Sequence, residues 1–165
     1  LKTVWAKVYR PLVDFLKLQV RYNIITSNVE IKTCKETSDP SAMQKGEDFL
    51  RAFSLGFDVQ DAVALIRLNE LYVESFSVTD IKPLKGDHLS RAIGRIAGSG
   101  GKMRYTLENA SKTRIIIADS RVHVLGSYES IQVARNAICQ LVLGAGPSKT
   151  IGEMGKITSK LNSKF

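Results

Sequence analysis

The chain has 165 residues, room for one ordinary domain or two small ones. With 44% hydrophobic and 24% charged residues it is not a disordered, collagenous or mucin-like sequence, and no apolar run approaches the roughly 18 residues of a membrane-spanning helix. The net charge of +8 is uneven: residues 1–81 carry 10 basic and 11 acidic side chains, residues 82–121 carry 9 and 3, and the segment from Lys149 is basic again. Such a field near the middle of the chain favours a polyanion.

Leu1 stands where a Met would open a complete protein, and no basic-then-apolar signal precedes it, so a fragment is expected. Two cysteines, Cys34 and Cys139, are too few for a disulfide framework or a zinc site and point to a reducing compartment.

Residues 3–20 repeat apolar positions at helical spacing, with Val4, Trp5, Val8, Leu12, Phe15 and Leu16 on one face. Pro11 predicts a break into two short helices. Residues 20–26 and 29–33 read as strands around a turn at Ser27-Asn28. Asp39 is the expected cap of the next helix, with Pro40 as its first residue; Ala42, Phe49, Leu50 and Phe53 face inward, and Gly56-Phe57 closes it. Asp58 starts a short helix that buries Val59, Ala62, Val63 and Ile66.

A second cycle begins with a strand at 71–78. Asp87 is expected to cap a helix through Leu89, Ala92, Ile93 and Ile96, and the cluster Gly98-Ser99-Gly100-Gly101 interrupts it. A new helix follows over 102–110, then strands at 113–118 and 122–126 around Asp119-Ser120. Ser127 caps a long helix that Gly144 ends. The two cycles share the order helix, break, helix, strand, turn, strand, helix; the second also has a leading strand, and the first would place its own before Leu1. This predicts an α+β fold of two units, each a three-stranded sheet backed by helices. The expected boundaries are 1–69, 70–144 and a basic tail over 145–165 that docks late or stays mobile.

The glycine cluster lies in the most basic segment. Glycines let a backbone approach phosphate, and the helix that follows offers unpaired N–H groups. A P-loop would need Gly at 96 and Ser or Thr at 103, where the chain has Ile96 and Met103; the dinucleotide pattern also fails at Met103. The GxxG loop of a KH domain survives: strand, helix, GxxG, helix, strand, strand, helix is the order of a type I KH unit, whose loop clamps about four unpaired nucleotides. Candidate RNA contacts are Arg91, Arg95, Ile96, Gly98, Ser99, Gly100, Gly101, Lys102, Arg104 and Arg114, with Ile93 and residues 115–117 lining or supporting the groove. The first unit has Tyr9-Arg10-Pro11-Leu12 where a GxxG is expected, so it reads as a degenerate KH unit that contacts protein or serves as scaffold.

The stretches Gly86-Asp-His-Leu-Ser-Arg-Ala-Ile-Gly-Arg-Ile-Ala-Gly98, Cys34-Lys-Glu-Thr37 and Asp61-Ala-Val-Ala-Leu-Ile-Arg67 resemble the eukaryotic ribosome-assembly family called partner of Nob. The chain departs from that family's usual lysine at Ser99, and residues 150–165 follow its pattern less closely. The resemblance implies tandem type I KH domains, the first degenerate. It also implies binding near the 3′ end of the precursor small-subunit rRNA. The implied partners are the Nob endonuclease, the rRNA dimethyladenosine transferase and the pre-ribosomal small-subunit particle, with no membrane. It places the protein in the nucleolus and nucleus, passing to the cytoplasm on the pre-small subunit.

Catalysis is not expected. His88 has no orienting partner in the sequence pattern, and His123 alternates with Val122 and Val124 and so faces the other side of its strand. Asp87, Glu108 and Asp119 do not make a metal-binding cluster, so no cofactor is expected. A free-standing KH regulator of mRNA binding or decay is the competing function. Such a regulator gains from two working loops, whereas an assembly factor can use an inactive unit as a docking surface.

Overall fold

The computed structural model describes residues 4–163 and divides the chain into two compact units, Leu1–Glu70 and Leu71–Phe165. The first opens with helix α1, Trp5–Asp14, which buries Val8, Pro11 and Leu12; the helix start expected at residue 3 lies outside the described residues. The helix runs through Pro11 instead of breaking there. Proline deletes one helical donor, but this one sits near the C-terminal end and is itself packed inward, which offsets the loss. Lys17, at φ 53°, then turns the chain between buried Leu16 and Leu18.

Strands β1 (Gln19–Asn23) and β2 (Asn28–Lys32) form an antiparallel hairpin, the two strands expected between Leu1 and Glu70. The first strand is shorter than predicted. The Asn23 side-chain oxygen accepts from the N–H groups of Ile25 and Thr26, which diverts the backbone from the ladder. Helices α2 (Ala42–Ser54) and α3 (Val59–Arg67) complete the unit. Asp39 does organise the entry to α2, accepting from Ser41 N–H at 2.8 Å and from Lys45 at 3.0 Å, although the helix begins three residues later.

The second unit is a three-stranded antiparallel sheet in the order β3 (Tyr72–Ser77), β5 (Arg121–Gly126), β4 (Arg114–Ala118). Alternation puts Phe76, Ile115, Ile117, Val122 and Val124 on one face, where they meet the helices. Short α4 (Val78–Ile81) carries a capping box between Ser77 and Asp80. Helix α5 (Asp87–Ala97) starts after Gly86, with Asp87 as its first residue and not its cap. A single 3-10 turn, Ser99–Gly101, leads into α6 (Lys102–Ser111), and α7 (Tyr128–Val142) is capped by Ser127 as expected.

The expected basic tail is instead helix α8, Pro147–Asn162, packed on α6 and α7. Thr150 and Met154 are buried, and the Thr158 hydroxyl donates to the Ala110 carbonyl at 2.9 Å. Its inward stripe is one residue per turn with threonines at two places, a pattern too polar to stand out.

The structure also changes the phase of the internal repeat. Among the described residues only α1 precedes the first hairpin, and it matches α6: the shared order is helix, strand, strand, helix, helix. Residues 9–12 therefore lie inside a helix and do not take the place of a GxxG loop. The matching place is immediately before Trp5, mostly outside the described residues.

Candidate nucleic-acid interface

The loop between α5 and α6 is made by glycines in conformations that side chains resist. Gly98, Gly100 and Gly101 have φ of 73°, 61° and 77°. At Gly98 ψ is 174°, a region nearly exclusive to glycine, and a Cβ there would lie 2.6 Å from Met103 Cβ. At Gly100 a Cβ would meet nothing within 4 Å, so that residue is the open tip of the loop. The loop is closed by Gly98 N–H donating to Gly94 O at 2.8 Å and Gly101 N–H to Gly98 O at 3.3 Å. Among the described residues the Ser99 and Gly100 N–H groups take no part in this bonding. They lie beside the N-terminal turn of α6, whose unpaired donors and positive dipole end suit a phosphate.

Gly101, by contrast, is half-covered by side chains of α6. The Tyr105 ring lies 3.6 Å from the position of its absent Cβ, and the Arg104 guanidinium sits 4.6 Å over that ring. Arg104 also donates to Glu108 at 3.3 Å and to the Ile115 carbonyl at 3.1 Å, while buried Glu108 accepts from Ile115 N–H at 2.8 Å. Arg104 thus joins α6 to β4 and supports the loop from beneath, with its charge already paired. The sequence reading missed Tyr105 and Glu108. Their signal was an exposed aromatic and a carboxylate three and six positions after Lys102 on the helix that leaves the glycines.

The remaining candidates separate. Gly98, Ser99, Gly100, Gly101 and Lys102 are contiguous in the loop and first turn, with Ser99, Gly100 and Lys102 exposed. Ile96 is 0% exposed and belongs to the core, so it cannot touch a ligand; Ile115 is equally buried and Ile117 packs on the same core. Arg114 is exposed at the start of β4. Arg91 and Arg95 are on α5, turned about 60° and 100° from Gly94, both to the same side, at about 100° per residue. There they line a small concavity with Lys82, Leu84, His88, Ala92 and Val142. His123 is buried in β5, with its Nδ1 2.6 Å from the Ser75 hydroxyl. Among the described residues no three His, Cys, Asp or Glu side chains gather where they could hold a metal ion.

Sheet order, helix pair and glycine loop together define the second unit as a type I KH module, a class of RNA-binding fold. Residues 75–159 match the family model of the eukaryotic type KH domain (KH-domain type I), specifically the second KH domain of PNO1. Over all 165 residues the chain is 59% identical to the RNA-binding protein PNO1 of Oryzias latipes, covering 68% of that protein. It is 54% identical to the pre-rRNA-processing protein PNO1 of Phaeosphaeria nodorum, again over its whole length, covering 63% of that one. Among solved structures, the complex of a/eIF2alpha, aDim2p and rRNA from Pyrococcus horikoshii contains a chain that superposes with a TM-score of 0.78 at 26% identity, over 92% of this chain and 82% of that one. The chain belongs to the PNO1 family of KH-domain ribosome-assembly factors.

Proposed function

We propose that this chain binds single-stranded precursor rRNA near the 3′ end of the small-subunit sequence and positions or shields it for endonuclease processing, without catalysis of its own. The contact is the loop 98–101 with Lys102. The observation that carries this is the loop itself: three glycines at positive φ, an open tip at Gly100 and unspent N–H groups beside a helix N-terminus. The relatives are named as RNA-binding and pre-rRNA-processing proteins, and an archaeal structure of this fold was solved with rRNA. The first unit serves as a degenerate KH scaffold for protein contacts. The partners in this reading are the Nob endonuclease and the dimethyladenosine transferase on the pre-ribosomal particle, met in the nucleolus and nucleus and carried into the cytoplasm.

The test is RNA binding against salt for the wild type and Gly100→Asp, using a precursor 3′-end oligonucleotide and a scrambled control. Asp at the tip strains the backbone and repels phosphate, so binding should fall at least tenfold with a shallower salt slope while circular dichroism stays unchanged. Undiminished binding by the folded variant would remove the loop from the mechanism. Equal affinity for the scrambled RNA would favour the mRNA-regulator reading.

A further inference from the structure

Helix α5 has two unlike flanks. One bears exposed Gly94, where a Cβ would meet nothing within 4 Å, together with the half-buried Ile93 and Ala97, and runs into the glycine loop. The other bears His88, Arg91 and Arg95 at spacings of three and four residues. With Lys82 and the apolar Leu84, Ala92 and Val142 they surround a concavity of about 180 Å³. Its lining contains no carboxylate. Among the described residues none of Lys82, His88, Arg91 or Arg95 has an ion-pair or side-chain hydrogen-bond partner. Arg95 reaches toward the carbonyl end of α7, its Nη1 3.7 Å from where a Cβ on Gly144 would sit.

Three permanent cations around one small hollow repel one another, and burying none of their charge against an acid gives the fold no return. Elsewhere cations do meet carboxylates, as in Arg21 with Glu30, Lys45 with Asp39 and Arg135 with Glu74; what sets Lys82, Arg91 and Arg95 apart is that they converge on one hollow that has no acid in its lining. An arrangement left unneutralised suits an anion supplied from outside, and guanidinium forks suit the paired oxygens of a phosphodiester. We infer that the hollow lined by Lys82, His88, Arg91 and Arg95 is a second phosphate site, taking the backbone of the same RNA strand beyond the segment held by the loop.

The inference rests on the RNA-binding reading above, and the geometry sets its reach. The α5 side chains of the hollow lie three to ten residues before Gly98, about 5–15 Å along the helix at 1.5 Å per residue, which a strand spans in a few nucleotides. A tetranucleotide fills the loop alone, whereas a dodecamer reaches both sites. Phosphates contacted in the hollow add affinity without base selectivity.

The experiment uses the whole chain with four- and twelve-nucleotide single strands from the precursor 3′ segment, followed by chemical-shift titration and by affinity against salt. The double variant Lys82→Gln with Arg91→Gln should weaken the dodecamer about tenfold. It should flatten its salt slope by about one unit, at roughly 0.7 per phosphate, and leave the tetramer unchanged. The charge-keeping pair Lys82→Arg with Arg91→Lys should bind the dodecamer as the wild type does. Equal loss for both oligonucleotides would assign these cations to the loop and overturn the second site. So would an unchanged dodecamer, or charge-keeping variants as weak as the glutamine ones. The two readings fail separately: if Gly100→Asp spares both RNAs while the glutamine pair still weakens the dodecamer, the loop falls and the hollow stands.

Discussion

Both units turn the same corner, and the second adds a glycine loop of a kind not seen among the described residues of the first. In the first, α2 ends at Leu55-Gly56 and α3 begins three residues later; in the second, α7 ends at Leu143-Gly144 and α8 begins three residues later. Gly56 and Gly144 have φ of 104° and 102°, and the N–H pattern agrees, with Gly56 to Phe53 O and Phe57 to Ala52 O matching Gly144 to Leu141 O and Ala145 to Gln140 O. This paired bonding is a Schellman closure in both places. What differs is surface chemistry. The second unit has the glycine loop and the cations around the hollow; the first has a hairpin tip whose Ile24 and Ile25 are 83% and 94% exposed, and ties half-buried Glu30, Asp39 and Asp48 to Arg21, Lys45 and Gln44. Caps and burial maintain a fold while the exposed loop and charge decide what the unit can bind.

The comparison breaks most easily at Gly98. Alanine there puts a Cβ 2.6 Å from Met103 Cβ and 2.7 Å from Met103 N, in a backbone region that side chains avoid. Backbone atoms cannot step aside, so Gly98→Ala should destabilise the second unit by about 3 kcal/mol, a fall of about 10–20 °C in its melting temperature. The first unit should be untouched. The sole tryptophan, Trp5, packs on Tyr9 and Tyr22 within the first unit, so its fluorescence transition reports that unit separately from the overall circular dichroism. A fluorescence midpoint that moved with the variant would mean that the units unfold as one.

The shared corner can be tested by matched changes. Gly56→Ala and Gly144→Ala each force alanine into the left-handed region, at about 1–2 kcal/mol. The first should move the Trp5 fluorescence midpoint; the second should accelerate amide exchange in α7 and α8. Costs differing by more than about 1 kcal/mol would show that the two closures only look alike.

Much of this was readable from the residues, and the failures have physical causes. The loop was legible because three glycines in four positions admit few structures, and the long helix after Ser127 because its apolar spacing is strong. The proline rule overreached at Pro11, where inward packing near a helix end outweighs one lost donor. Helix α8 was hidden by threonines on its buried stripe and by Gly152 and Gly155 on its exposed side. The candidate site was legible as a segment but not as a surface. Sequence neighbours on α5 point to different flanks, so Ile96 went to the core, Arg91 and Arg95 to a separate hollow, and Arg104 into a structural pair.

The smallest expected effect is one of pH, and it belongs to the unit without the glycine loop. Asp39 accepts from the Ser41 hydroxyl and the Ser41 N–H and pairs with Lys45, and these bonds pull its carboxyl down to about 2. A carboxyl held lower in the folded chain than in the unfolded one favours folding when ionised. That contribution is whole above the ordinary aspartate value near 4 and disappears as pH falls toward 2. The Trp5 fluorescence midpoint should therefore drop over pH 4 to 2, and Asp39→Asn should flatten that part of the profile while leaving the second unit's transition unchanged. Because the group is only half-buried the drop should be modest and should shrink in high salt, where the Lys45 attraction is screened. A wild-type midpoint as flat as that of Asp39→Asn over this range would show that the Asp39 bonds do not hold the entry to α2 in solution.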